Sequence, residues 1–345
     1  MPSPIRVLFA ALRYDYNVRG RGLSFEYENF YETLRRMEGV ECTFFDSGGL
    51  MLQPDALQHL LVRKAIETVP HILFVFPFEW EILPDTVRAV SSKTGALTLC
   101  WFADDHWRFD TFSRQYCRAF DYCVTTDSNA VERYRSAGYS NVILSQWACN
   151  PHRYHKLDLP RIHPVTFVGM AHGNRRDLVS RLESRGIEVQ CFGFGWKRVR
   201  GFYRKWNRWV DRLPFGLPYA GAGRVSHSAM IRIFNQSRIN LNFANSSQGD
   251  KQQIKGRNFE IPGCGGFILT SEAEGLDRYF SPGKEVVTYS DFEDLVDKIR
   301  YYLVQGEERE AIAEMGYLRV LRDHTYEKRF RAIFEIVLGK SGSPG

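Results

Sequence analysis

The chain is short of paired cysteines, long apolar runs, repeats and glycine-rich dinucleotide signals, and each shortage removes a class of protein. Its seven cysteines, at 42, 100, 117, 123, 149, 191 and 264, form no C-x-x-C pair and stand singly in apolar surroundings. That argues against metal or disulfide use and for reduced thiols in the core. Apolar stretches such as 72–78 fall far short of the ~20 residues a membrane span needs. Met1-Pro2-Ser3-Pro4 leads straight into a strand-like run, with no basic start, apolar core and cleavage site, so a cytoplasmic protein is expected. No repeat of 20 to 50 residues and no low-complexity tract is present. Arg19-Gly20-Arg21-Gly22 supplies only two glycines of a dinucleotide fingerprint, and Phe25 stands where the third belongs, so NAD is not expected.

What is present suits a two-domain α/β protein. The 345 residues suffice for two domains of roughly 150 residues each, and a composition 44% hydrophobic and 14% aromatic can fill two cores. Short β-like runs alternate with longer helical patterns, the signature of parallel sheets wound by crossover helices. The first series predicts strands at 5–11, 40–45, 72–76, 97–102, 122–125 and 142–145, with helices at 24–37 and 55–68 capped by Ser24 and Asp55. The second predicts strands at 165–168, 189–192, 239–243, 267–269 and 286–289, with helices near 175–184, 292–303 and 307–322. Segment 147–164, rich in proline, histidine and polar residues, reads as a linker. The expected domains are therefore 1–150 and 165–325, each Rossmann-like, followed by a last helix at 326–338.

Open parallel sheets bind ligands beyond the carboxyl ends of their strands. The most informative such junction is Lys255-Gly256-Arg257-Asn258-Phe259-Glu260-Ile261-Pro262-Gly263-Cys264-Gly265-Gly266, which precedes the apolar run 267–270. Two cations, one carboxylate and four glycines allow backbone and charge to approach a diphosphate. Glu260 would then face neutral hydroxyls such as those of a ribose. An ordinary helix-to-strand turn carrying a surface glutamate is the alternative. Gly169-Met170-Ala171-His172-Gly173-Asn174-Arg175 follows another strand, and there Arg175 either reaches a phosphate or lies solvated on its helix. Ala244-Asn245-Ser246-Ser247-Gln248-Gly249 offers small hydrogen-bonding side chains to phosphate or sugar, as any exposed turn would.

In the first half, strand 97–102 ends in Ala103-Asp104-Asp105-His106. Adjacent carboxylates repel, which raises one pKa toward the range of a general base that deprotonates an acceptor hydroxyl. The same residues also suit a helix cap and a first-turn acid. Their side chains diverge on a continuing strand, so no essential metal is expected.

These pieces carry a resemblance. Arg257-Asn258-Phe259-Glu260 with Gly265-Gly266, then Gly283-Lys284-Glu285-Val286-Val287-Thr288-Tyr289 and His324-Thr325-Tyr326-Glu327-Lys328-Arg329, resemble the C-terminal part of the spore-maturation CgeB-like glycosyltransferases. Trp101-Phe102-Ala103-Asp104-Asp105-His106-Trp107-Arg108-Phe109, Phe167-Val168-Gly169 with Arg175, and Phe192-Gly193-Phe194-Gly195-Trp196 follow the order of that family. The resemblance implies a GT-B fold, two Rossmann-like domains with parallel sheets facing across a cleft, and a terminal helix that crosses back to the first domain. It implies sugar transfer from a nucleotide-diphosphate sugar to a glycan, lipid-linked glycan or protein, with no cofactor and no metal. Donor-side residues would be Gly169, Arg175, Asn245, Gln252, Lys255, Arg257, Glu260, Gly265 and Gly266. Asp104 and Asp105 would be catalytic, and Arg19, Arg21 and His106 would meet the acceptor. Retaining members of the wider group carry a second glutamate eight positions before the one matching Glu260. Here that position is Gln252, so the stereochemical outcome stays open.

Charge is concentrated in segment 197–212, where Lys197, Arg198, Arg200, Arg204, Lys205, Arg208 and Arg212 oppose Asp211, a net +6 that equals the formal charge of the whole chain. Interleaved aromatics fit an anionic membrane surface at the inner face, a polyanionic acceptor or an amphipathic insert packed on the second domain. Aromatic and basic residues also suit single-stranded nucleic acid, although no nucleic-acid partner is expected. A nucleotide-sugar epimerase or hydrolase on the same architecture and a non-catalytic glycan-binding protein are the alternative functions.

Overall fold

Runs of β-branched and aromatic residues form strands buried on both faces, the pattern of parallel sheets covered by helices. In the computed structural model, which describes residues 3–51, 53–196, 225–244 and 252–339, β1 (Ile5–Ala11), β2 (Val40–Asp46), β3 (Ile72–Val75), β4 (Leu97–Phe102), β5 (Tyr122–Thr125) and β6 (Val142–Leu144) build one sheet. Its order is β2-β1-β3-β4-β5-β6, and Val7 of β1 is level with Cys42 on one side and Ile72 on the other. The second sheet joins β7 (His163–Val168), β8 (Gln190–Phe192), β9 (Ser237–Asn242), β10 (Ile268–Ser271) and β11 (Val287–Tyr289) in the order β11-β10-β9-β7-β8. All these pairings are parallel. Strand order reverses between β1 and β3 in the first sheet and between β7 and β9 in the second. Such switch points open a crevice at the strand ends.

Helices start and stop where local chemistry allows. Proline opens α1 (Pro54–Thr68) and α2 (Pro84–Thr94), and Gly95, with φ 73°, closes α2. Asp55, expected as a cap, lies instead in the first turn of α1. Asp127 caps α3 (Ser128–Ser136) by accepting from the Asn129 amide at 2.9 Å. The second unit adds α4 (Arg175–Ser184), α5 (His227–Gln236), α6 (Arg257–Gly263), α7 (Phe292–Val304) and α8 (Gly306–Asp323). The helix expected at 24–37 is shorter and has a wide-turned stretch at Tyr27–Tyr31. Ser24 still accepts from the Tyr27 amide at 3.0 Å.

The described residues up to Gln146, with those from Tyr326 onward, make one compact unit, and the described residues from Trp147 to Thr325 make the other. The last helix, α9 (Tyr326–Val337), buries Tyr326, Phe330, Ile333, Phe334 and Val337 along one stripe. Phe330 packs on Phe30 and Phe74 at ring distances of 5.2 and 5.9 Å. Segment 147–164 is not an open linker. Cys149 donates its amide to His324 at 2.9 Å, Leu157 donates to the Asn235 side chain at 2.7 Å, and Arg161 reaches the carbonyls of Asn235 and Gly265 at 2.6 and 2.7 Å. These long-range bonds strap the segment onto the second unit. Among the described residues no helix is long and apolar enough to cross a membrane.

Candidate functional site

The second sheet's switch point gathers the charged residues of the motif. β7 ends at Gly169, where space is limited. A Cβ on Gly169 would lie 2.9 Å from the Phe167 ring, and one on Gly193, whose φ is 131°, would meet the Gly169 carbonyl at 2.4 Å. The ends of β7 and β8 therefore approach only because both positions lack side chains. Trp196 donates its indole N–H to the Gly169 carbonyl at 2.7 Å.

Beside this junction, the Arg175 guanidinium lies 5.2 Å from the centroid of Phe167, which itself stacks on Phe243 at 4.5 Å. It donates to the carbonyls of Met170 at 2.9 Å and Phe243 at 3.3 Å, and its Nε has no hydrogen-bond partner among the described residues. Arg175 thus ties the loop after β7 to the end of β9, rather than lying solvated on its helix. Burial, then the charge of Arg257, pushes its pKa down to about 10, so it stays protonated at neutral pH.

Arg257 opens α6 and pairs through Nη1 with the Glu260 carboxylate one turn on, the i, i+3 spacing of neighbours on a helix face. Glu260 keeps 2% of its side chain exposed and Arg257 29%. The carboxylate is therefore buried as a counter-ion, while the Arg257 side chain stays partly exposed. His172, in the loop after β7, is pushed down to about 4 by burial and by the charges of Arg175 and Lys255. The share of that shift due to Arg175 and Lys255 marks a positive field, which attracts an anion.

The loop before α6 is held by buried polar side chains whose role sequence reasoning missed. Asn258 Oδ1 accepts from the Lys255 amide at 2.9 Å and from Asn242 Nδ2 at 3.2 Å, and Asn242 also donates to Thr270 Oγ1 at 3.0 Å. Ser271 donates to Gln252 Oε1 at 3.2 Å and accepts from the Ala244 amide at 2.8 Å. Asn242, Asn258 and Thr270 are buried. The available signal was an amide between Arg257 and Glu260, where solvation alone would not call for one.

Gly265 and Gly266 require a correction. They lie beyond the C-terminal end of α6, about 10 Å along the helix from Arg257. A Cβ on Gly265, with φ 67°, would press on the Lys156 stem at 3.1 Å, and one on Gly266 would meet Asn240 and the Phe234 carbonyl at 3.0 Å. Packing, not approach to a ligand, demands these glycines. Asn245, the residues after it in its loop and segment 197–212 lie outside the described residues.

In the first unit, Asp104 and Asp105 part company. Asp104 is partly exposed and its carbonyl accepts from the Trp107 and Arg108 amides at 3.1 and 2.9 Å. Asp105 is 0% exposed, and its Oδ2 accepts from the Tyr134 hydroxyl at 2.9 Å. Its pKa is raised to about 6, first by burial and then by Asp127. Repulsion from Asp104, the expected cause, is not what raises it. Buried against α3, Asp105 supports the end of β4 and offers no face to a substrate.

His106 is partly exposed; Arg19 is exposed, and Arg21 lies 5.0 Å from the Tyr16 ring centroid. Two acids without an expected role stand near them. Glu81 accepts from the Phe78 and Glu79 amides at 2.9 and 2.7 Å. Glu26 is raised to about 7 by burial, with Asp15 and Glu81 adding to the shift.

Residues 175–335, which contain Arg175, Arg257 and Glu260, match the family described as glycosyl transferase-like. The chain is also 22% identical to the spore protein CgeB of Bacillus subtilis (strain 168) over 239 residues, covering 66% of this chain and 71% of that one. The chain is a glycosyltransferase that resembles CgeB. The fold of this glycosyltransferase is GT-B. It is similar to sucrose-phosphate synthase from Thermosynechococcus elongatus, with a TM-score of 0.64 at 10% identity, covering 97% of this chain and 100% of that one. It is also similar to Anabaena HepE in complex with UDP, with a TM-score of 0.59 at 10% identity, covering 96% and 98%.

Proposed function

We propose that this glycosyltransferase takes its sugar from a nucleotide-diphosphate donor held at the β7/β9 switch point. The observation that carries the reading is the gathering of Arg175, bound to the carbonyls of Met170 and Phe243, Arg257 at the start of α6 and Lys255 in the loop held by Asn258, with the charges of Arg175 and Arg257 close enough to interact. As the bond between the anomeric carbon and the diphosphate oxygen breaks, negative charge grows on the departing phosphate. Cations already in place stabilise that charge without reorganising at the moment of reaction. Arg257, partly exposed, faces the diphosphate, and Lys255 approaches from the loop held by Asn258. Glu260 holds Arg257 in position, with Gln252 toward the sugar. HepE, a structural neighbour, is known in complex with UDP-glucose, which supports the donor class.

The cations take the electrostatic role a metal would otherwise fill, so turnover is expected to persist in excess EDTA. Thermal-shift titration with UDP, GDP, TDP and CDP tests the nucleotide site. Stabilisation by at least one diphosphate, lost in Arg257→Met, is the expected result, and no shift with any of the four would overturn the reading. Product analysis of each nucleotide sugar, with and without cell-derived acceptors, separates transfer from epimerisation and hydrolysis.

A further inference from the structure

Helix α8 carries apolar side chains on two faces, and the second unit uses one of them. Ile312, Ala313, Gly316 and Val320 are buried, and a Cβ on Gly316 would collide with the Glu285 carbonyl and lie 3.5 Å from Pro262. That close approach fixes the helix in rotation. On the side turned away stand Ala311, Met315 and Leu318, with Arg322 next in line, and steps of four, three and four residues put all of them on one stripe. Met315 is 51% exposed and Leu318 50%. The stripe continues onto the end of α7, where the Tyr301 hydroxyl donates to Glu308 at 2.7 Å and Val304, one turn on, is 79% exposed. Of the fifteen large apolar side chains exposed among the described residues, four fall within 301–318, which makes this a patch rather than the ordinary scatter of a protein surface.

Charge divides along the stripe. Glu307 and Glu308 are exposed at its start, while Arg322, largely exposed, stands at its end with Arg319, both beside Asp323. We infer that this face is a contact between two copies of the chain, packed antiparallel about a two-fold axis beside Met315 and Leu318. The acidic start of each helix then lies against the basic end of the other, with Glu308 toward Arg322 of the second copy, and the two helix dipoles run head to tail. A parallel pair would set Glu308 on Glu308 and Arg322 on Arg322. A lipid surface fits less well, because Glu307 and Glu308 on the border of the stripe are repelled by anionic headgroups. A helix of 18 residues is about 27 Å long, so one face of it with the end of α7 buries roughly a few hundred Å² per copy, the size of a reversible contact and not of an obligate dimer. Detecting it needs neither donor nor acceptor, so its failure would leave the transferase reading untouched.

The test is sedimentation velocity of the whole protein, free of nucleotide, from about 1 to about 200 µM, the range in which contacts of this size form. Expected is a monomer–dimer equilibrium that shifts with concentration. Met315→Glu and Leu318→Glu should each stay monomeric throughout, with melting temperatures near that of the wild type because both sites are half exposed. Glu308→Arg and Arg322→Glu should each weaken association at least ~fivefold, and the two together should return it to within ~threefold of the wild type, a restoration that a local effect of either charge would not give. Monomer at every concentration, a dimer indifferent to both apolar substitutions, or a double exchange as weak as its single members would overturn the inference. So would a monomeric wild type that binds phosphatidylcholine–phosphatidylglycerol vesicles and loses that binding in Met315→Glu, since the face would then belong to lipid.

Discussion

Both sheets reverse their strand order between the first and third strands of their unit, yet the two switch points offer opposite chemistry. At β7/β9 the surface is cationic and held from beneath by an amide network, with Arg175 bound to two carbonyls and Asn258 anchoring the loop before Arg257. At β1/β3 the exposed groups are aromatic, mixed with acids, on a backbone strained at Tyr16 and Asn17. The same topology thus builds two chemically different surfaces. A charged leaving group needs cations that do not move, which the β7/β9 surface offers.

The largest test of this contrast is Arg257→Met. Loss of a charge-assisted contact to the leaving group is expected to lower kcat/KM by ~100-fold or more, with Arg257→Lys intermediate. An effect below about threefold would break the comparison, since the second unit's cations would then not act on the donor.

Asp105→Asn follows, and here the effect is on stability. The folded-state pKa of Asp105 is raised to about 6 from 3.8, so the fold favours the neutral acid. That preference is fully present below the unfolded value and is lost as pH rises through about 6. The wild type should therefore lose up to about 3 kcal/mol from this group between pH 4 and pH 7. Denaturant unfolding at pH 8 should show Asp105→Asn more stable by a similar amount, with transfer rates within about twofold. A collapse of turnover in a stable Asp105→Asn protein would return this residue to catalysis.

Asn258→Ala is expected to raise the donor KM about tenfold with kcat nearly unchanged, because it removes the acceptor of the Lys255 amide and one of the two acceptors of Asn242 and so loosens the loop. Equal losses in kcat and kcat/KM would assign it to the transition state instead. The smallest effect belongs to Gly266→Ala, where the new methyl presses on Asn240 and the Phe234 carbonyl. A melting temperature lowered by the equivalent of about 1 to 2 kcal/mol, with nucleotide affinity unchanged, would confirm a packing role.

Much of the architecture could be read from the chain alone. The strand runs sit within a residue or two of where alternation and turn residues put them, because a parallel strand buried on both faces is marked by its own composition. Arg175, Lys255, Arg257 and Glu260 were also visible as a group, since cations and glycines next to strand ends are a local pattern. Segment 147–164 was misread because its polar composition says nothing of Asn235 and Gly265, which supply its bonding partners from far along the chain. Asp105 was misread for the converse reason. Its neighbour in sequence, Asp104, was obvious, whereas its neighbour in space, Tyr134, was not.

By itself, then, the sequence determined two parallel α/β sheets, reduced cysteines and a cationic motif, all of which follow from residue type and short-range spacing. Tertiary structure alone decided which charges are buried and which stay open. Glu260 became a counter-ion, Arg257 stayed partly exposed, Asp105 withdrew into the core and Tyr16 was held outward. Desolvation depends on atoms brought together from distant parts of the chain, and no local window contains them.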